Sequence, residues 1–146
     1  TRLAGFQDIF IAGNDFSDLA GRSVTPGELC GYPFICMEPG TVTRQFLDDF
    51  LLQFHLAVSP DIELATTDLI TPMAANNLGV GFVPRAFARS ALEEGSVFQI
   101  RLTEIVPERE ICVISRTDTP LSLAGNAFLR LFSDFAEPSC IKKDCR

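Results

Sequence analysis

Polar residues that could bind a small molecule follow two apolar runs of this sequence. The first group comes after the run 34–37 and the second after the run 62–65, and each group begins a predicted helix. The candidate binding residues are Thr41, Val42, Thr43, Thr66 and Thr67. Threonine hydroxyls donate and accept hydrogen bonds, and a helix N-terminus offers backbone N–H groups and a partial positive charge. Residues of this kind suit a small carboxylate or phosphate.

The same threonines have a second interpretation that needs no ligand. Thr43 and Thr67 could serve as N-caps, with each hydroxyl accepting a hydrogen bond from a backbone N–H of its own helix. The local sequence leaves both interpretations open. Ligands of open parallel sheets bind outside the carboxyl ends of the strands. Two such helix starts at one sheet edge therefore favour binding.

Catalytic motifs are missing from the chain. The sequence contains no GxSxG elbow, no HExxH pair and no Walker loop. Gly79-Val80-Gly81 resembles the start of a dinucleotide fingerprint. The third glycine is absent, however, and these glycines stand before and inside a predicted strand rather than after it. We therefore expect no enzyme activity, no catalytic residues and no cofactor.

Isolated side chains that could do chemistry lack partners in the sequence. His55 is the single histidine and has no candidate partner nearby. The adjacent pair Asp48 and Asp49 is interpreted as part of a solvated helix face, together with Arg44, because nothing close in sequence would raise a carboxylate pKa. Cys36, inside a predicted strand, is expected to pack in the core.

The cysteine pattern argues against a metal site and against a disulfide framework. There are five cysteines, an odd number, with no CxxC pair and one histidine in the whole chain. They are Cys30, Cys36, Cys112, Cys140 and Cys145. Reduced thiols are typical of cytosolic proteins, so we expect no metal and a cytoplasmic location.

The charge of the chain disfavours direct contact with nucleic acid. Nineteen acidic residues outnumber twelve basic ones, which gives a formal net charge of −7. Phosphate backbones are held by clustered Lys and Arg, whereas the only lysines here are Lys142 and Lys143. No apolar run approaches the length of a membrane span and no signal peptide is seen. Because the chain begins with Thr1 rather than Met, it is expected to be a fragment or a processed form.

The elements that would position the candidate residues alternate between strands and helices. Such alternation is typical of an α/β domain with a largely parallel sheet. Strands are predicted at 8–12, 34–37, 62–65, 80–83, 97–101 and 110–115. Helices are predicted at 43–55, 69–77 and 84–94, together with one helical turn capped by Thr25. His55 ends the first of these helices, and a left-handed Gly79 closes the second. A last helix begins at Ser122 and has one apolar face formed by Ala124, Phe128, Leu131, Phe132 and Phe135.

Three segments resemble the effector-binding domain of LysR-type transcription regulators. They span 19–50, 60–88 and 109–132, and the resemblance covers about residues 6–135. The stretches LGVGFVP and TPLSLAGNAFLRLF are fairly specific to that family. These effector domains are similar to type 2 periplasmic binding proteins, in which two α/β lobes are joined by crossing strands. The resemblance implies a three-layer, doubly wound mixed sheet.

The resemblance also implies a division of the chain. Residues 1–14 would be a crossing strand from a first lobe, and 15–108 the second lobe. Residues 109–137 would form a returning strand and the final helix, followed by a flexible polar tail at 138–146. The winged helix-turn-helix, the linker helix and most of the first lobe are absent from this sequence. DNA binding would therefore belong to that missing N-terminal domain.

For function, the resemblance implies a sensor of a small-molecule effector. In such regulators the effector lies between the lobes and touches polar loops after strands, which by position are residues 41–43 and 66–67 here. Effector domains of this family pair head to tail, which would place helix 43–55 and strand 62–65 near a partner and implies a homo-oligomer. Two alternatives share the fold, namely a solute-binding protein of a transport system and an enzyme.

Overall fold

The structure, a computed structural model, describes residues 2–115 and 120–135, with side chains as far as residue 131. The chain divides into two compact units. One unit contains strand β1 (Arg2–Phe6), strand β8 (Arg109–Cys112) and helix α5 (Leu123–Phe135). The other unit is Gln7–Pro107. The predicted tail 138–146, with Cys140, Cys145 and both lysines, lies outside the described residues, as do the side chains of Phe132 and Phe135.

The unit Gln7–Pro107 carries the candidate residues. Its strands are β2 (Asp8–Gly13), β3 (Ser23–Val24), β4 (Phe34–Met37), β5 (Ile62–Leu64), β6 (Val80–Pro84) and β7 (Val97–Leu102). Its helices are α1 (Pro26–Leu29), α2 (Val42–Leu52), α3 (Ile70–Ala75) and α4 (Arg85–Glu94), with 3-10 helices at Asn14–Leu19 and Thr67–Leu69. Strands and helices thus alternate as predicted.

The six strands form one mixed sheet in the order β3-β7-β2-β6-β4-β5. Strand β4 is parallel to both β5 and β6, and β3 is parallel to β7. Strand β2 is antiparallel to both of its neighbours, β6 and β7. All strands except β2 therefore point the same way, and their carboxyl ends share one edge. The predicted mixed α/β sheet is confirmed.

Helices cover both faces of this sheet, which makes the predicted three layers. On one face, Leu29 of α1 and Leu47 and Phe50 of α2 are buried in one cluster. On the other face, Ile70 of α3 and Ala88 of α4 are buried in a second cluster. Every residue of β2 is buried, because this strand lies between neighbours in the sheet and beneath helices on both sides. Burial of apolar area on both faces supplies most of the stabilisation.

Aromatic side chains form the centre of the first cluster. The Phe10 ring lies 4.7 Å from that of Phe82, 6.1 Å from that of Phe34 and 6.4 Å from that of Phe50, measured between centroids. These rings come from three strands and from helix α2, so Phe10 joins the helix to the sheet. The four-residue spacing of apolar side chains in α2 places Phe50 toward this cluster.

Some predicted helix ends are confirmed and others are wrong. The capping box of α1 is present, because the Thr25 hydroxyl accepts from Glu28 N and the Glu28 carboxylate accepts from Thr25 N. The residue in the left-handed helical (αL) conformation after α3, however, is Asn77 (φ 61), whereas Gly79 has φ 157, a positive value outside the αL region. Asn77 is held there because its side-chain oxygen accepts a hydrogen bond from Asp15 N, 3.1 Å away. That partner is distant in sequence and could not be predicted locally.

Two other predicted boundaries are wrong. Helix α2 ends at Leu52, and the exposed His55 lies beyond it in a left-handed conformation (φ 58). Strand β8 ends at Cys112, before the predicted end at Ser115, because its partner β1 pairs only as far as that residue. The predicted cap of α5 is supported, since Gly125 N donates to Ser122 Oγ over 3.1 Å. None of the helices in residues 2–115 and 120–135 is long and apolar enough to cross a membrane.

Candidate functional site

The two loops that carry the candidate residues leave neighbouring strands at the same edge. Strands β4 and β5 pair in parallel, with Met37 opposite Leu64 at their carboxyl ends. Just beyond that pair, Glu38 N donates a hydrogen bond to the Leu64 carbonyl oxygen over 2.9 Å. The loop after β4 and the loop after β5 therefore start side by side. This is the position where open α/β sheets bind ligands.

Thr41, rather than Thr43, caps helix α2. The Thr41 hydroxyl accepts from Arg44 N (3.3 Å) and donates to the Glu38 carbonyl oxygen (3.0 Å). Val42 begins the helix and is 75% exposed, while Thr43 is half-buried in the first turn. The interpretation of Thr43 as the N-cap was therefore wrong. Thr41 and Thr43 are two positions apart in the sequence. Gly40 (φ 89) turns the chain so that the Thr41 hydroxyl, rather than that of Thr43, lies at the first turn of the helix.

The loop after β5 contributes one contact that ties it to β4. Thr66 is exposed and precedes the 3-10 helix Thr67–Leu69 without capping it through its side chain. Thr67 is half-buried, and its hydroxyl lies 3.5 Å from the sulfur of Met37, the last residue of β4. Thr67 is thus not an N-cap either. Its side chain instead brings the second loop against the start of the first.

Arg44 is the important residue that the sequence interpretation missed. It was assigned to a solvated helix face, but only 9% of Arg44 is exposed. Its guanidinium contacts Asp48 at 3.0 Å and Glu63 at 2.7 Å. It also donates to the Met37 carbonyl oxygen over 3.2 Å. The four-residue spacing to Asp48 on one helix could have signalled that ion pair, but nothing local indicates the pairing with Glu63.

Burial and charge act in opposite directions on the groups around Arg44. Burial opposes the charged guanidinium, but the hydrogen bonds to Glu63 and Asp48 outweigh it, so the pKa of Arg44 lies above its usual value. Cys36, beside it in β4, is buried in the core as predicted, and burial raises the pKa of this thiol. A raised pKa makes the thiol less nucleophilic at neutral pH.

The glycines of the weak dinucleotide motif have packing roles. A Cβ atom on Gly79 would lie 2.6 Å from the Pro33 carbonyl oxygen. A Cβ atom on Gly81 would lie 2.6 Å from a methyl group of Ile70, which packs α3 onto the sheet. Close packing of each glycine against another segment of the same chain therefore accounts for both residues.

Removal of the α2 cap is expected to destabilise the fold modestly. Thr41→Ala should lower the free energy of unfolding by about 1 kcal/mol, because Arg44 N loses its acceptor at the helix start. Thr41→Ser keeps the hydroxyl and should stay close to wild type. Urea denaturation of the three proteins measures both effects. Wild-type stability in the alanine variant would contradict the assignment of Thr41 as the cap.

Comparison with known proteins identifies the family of this chain. The family described as LysR substrate binding domain matches residues 3–137. The chain is 33% identical over 79 residues to an uncharacterised HTH-type transcriptional regulator, YfiE, of Escherichia coli (strain K12). That alignment covers 54% of this chain and 27% of the relative, so the chain spans only part of the relative's length.

Solved structures agree on the fold. The regulatory domain of CcmR from Synechocystis PCC6803, in complex with 2-PG, superimposes with a TM-score of 0.81 at 21% identity, covering 94% of this chain and 66% of that one. The effector binding domain of QuiR, in complex with shikimate, gives a TM-score of 0.75 at 16% identity, covering 99% and 66%. This chain thus spans just under two thirds of either domain. It belongs to the family of LysR substrate binding domains.

Proposed function

We propose that this chain is the effector-sensing part of a LysR-type transcription regulator, and that the effector binds where β4 and β5 end. The observation that carries the proposal is the junction of the two threonine loops at one sheet edge, through the Thr67–Met37 contact and the Glu38–Leu64 hydrogen bond. Membership in the LysR family favours a regulator over the solute-binding protein and over the enzyme.

The chemistry of the loops suggests how an effector would be held. Residues 38–43 and 65–69 contain no Lys, Arg or His. An anion would therefore be bound there by threonine hydroxyls and by the N-terminus of α2, rather than by an ion pair. Because Glu38 and Asp68 give each of these segments a negative charge, we favour a small organic monoanion over a multiply charged one. The compounds in the CcmR and QuiR complexes are a precedent for small-molecule effectors in this fold.

The proposal extends to the partners and the location of the regulator. We propose that DNA is contacted by a separate N-terminal domain, in agreement with the name of the YfiE relative and with the net charge of −7. A homo-oligomer in which α2 and β5 approach a partner is part of the same proposal. The proposal also includes a cytoplasmic location and a role without catalysis.

A thermal-shift assay tests the proposed site. The purified protein is screened against small carboxylates, including shikimate, and against inorganic phosphate. We expect a monocarboxylate to raise the melting temperature. Thr43→Val and Thr67→Val should each weaken its binding about fivefold, the value of one neutral hydrogen bond. Thr103→Val, which removes an exposed hydroxyl after β7, is the matched control and should bind as wild type does. Undiminished binding in both site variants would place the effector elsewhere.

A further inference from the structure

Arg44 connects the two strands that precede the threonine loops with the helix that follows the first loop. It lies in the first turn of α2, and its guanidinium reaches the carbonyl oxygen of Met37 at the end of β4. The same nitrogen, Nη1, donates to Glu63 of β5 over 2.7 Å. Through Nε, Arg44 also bonds both carboxylate oxygens of Asp48, one turn further along α2. One side chain thus joins the helix to both strands.

The backbone of Arg44 extends this connection into the first loop. Arg44 N donates to the Thr41 hydroxyl, which in turn donates to the Glu38 carbonyl oxygen. Glu38 N is bonded to Leu64 at the start of the second loop. A displacement of Arg44 would therefore disturb both the loop after β4 and the loop after β5. The guanidinium itself points inward, and its Nη1 lies 3.5 Å from Cys36 Sγ.

The charges around Arg44 argue that it does not bind an anion itself. Its positive charge faces two carboxylates, whose side chains are 48% exposed in Asp48 and 41% exposed in Glu63. The three groups together carry a net negative charge, which would repel an anion. A guanidinium held from several sides, by Asp48, Glu63 and the Met37 carbonyl oxygen, is also fixed in orientation. These are the properties of a group that positions other residues.

We propose that Arg44 is the positioning residue of the effector site, setting the separation of the 38–43 loop from the 65–67 loop through Glu63 and Met37. The inference rests on the proposed function for the identity of the site, but the role of Arg44 has its own test. If Arg44 positions the loops, loss of its contact with β5 loosens those loops locally. If Arg44 only stabilises the fold, the same loss weakens the whole unit Gln7–Pro107.

Hydrogen exchange measured by mass spectrometry separates these cases without a ligand. In Glu63→Ala, we expect backbone amides of 38–44 and 64–67 to exchange about tenfold faster, the value of one charged hydrogen bond, while 80–94 stays within about twofold of wild type. Glu63→Gln retains a carbonyl acceptor and should restore most of the protection. Glu110→Ala is the matched control, because it breaks an exposed Arg–Glu pair in the other unit and should leave both loops unchanged.

Two results would overturn the proposal. One is unchanged exchange at both loops in Glu63→Ala and in Arg44→Lys, whose single ammonium cannot reproduce the branched contacts. The other is a uniform increase across residues 7–107. Effector affinity supplies a second readout. Glu63→Ala should weaken binding of the monocarboxylate found by thermal shift by more than its effect on the melting temperature of the unliganded protein accounts for. If no compound binds the wild-type protein, the proposed function fails, whereas the exchange result still decides the role of Arg44.

Discussion

Phe10→Ala is expected to lower the free energy of unfolding of the unit Gln7–Pro107 by about 3–5 kcal/mol. Phe10 is 1% exposed and its ring contacts those of Phe34, Phe50 and Phe82. Truncation removes the transfer free energy of the ring. It also leaves a cavity, because the surrounding rings, from two strands and a helix, cannot all move inward. Urea denaturation followed by circular dichroism measures the loss.

Two controls separate the cavity from the simple loss of a ring. Phe10→Leu keeps most of the volume and should cost only about 1 kcal/mol. Phe87→Ala removes a ring that is 53% exposed on α4, and its effect should stay within about 0.5 kcal/mol. Equal losses for Phe10→Ala and Phe87→Ala would contradict the placement of Phe10 at the centre of the core.

Gly79→Ala should give the second large effect, a loss of about 3 kcal/mol in the free energy of unfolding. Gly79 has φ 157, and an added Cβ would lie 2.6 Å from the Pro33 carbonyl oxygen. That oxygen accepts from Val80 N over 2.8 Å, immediately before Phe34 pairs with Val80. Relief of the clash therefore requires the first residues of β4 and β6 to separate.

Gly40→Ala is the matched comparison for Gly79→Ala. Gly40 also has a positive φ (89), but no atom lies within 4 Å of the position of an added Cβ. Alanine there should cost only the left-handed strain, about 1 kcal/mol. Chemical denaturation of both variants tests the difference. Similar losses would show that backbone strain, rather than the contact with Pro33, decides the cost at Gly79.

Element types were predictable because they depend on short-range patterns. The apolar spacing of Phe46, Phe50 and Phe54 predicts α2 whatever its surroundings. The Thr25–Glu28 capping box likewise forms within four consecutive residues. The alternation of strands with helices predicts the α/β class, and the resemblance to LysR effector domains names the family. The loops 41–43 and 66–67 were also located correctly at one sheet edge, because parallel strands align their carboxyl ends.

The sequence by itself therefore determined the order of elements, the α/β class, the family and the two loops that end at the candidate edge. Only the tertiary structure decided that β2 runs against its neighbours, that Asn77 takes the left-handed position after α3, and that Arg44 is buried rather than solvated. The physical reason is the range of the contacts involved. The Arg44–Glu63 ion pair and the Asn77–Asp15 hydrogen bond join residues far apart in sequence. Such partners meet only after the strands have paired.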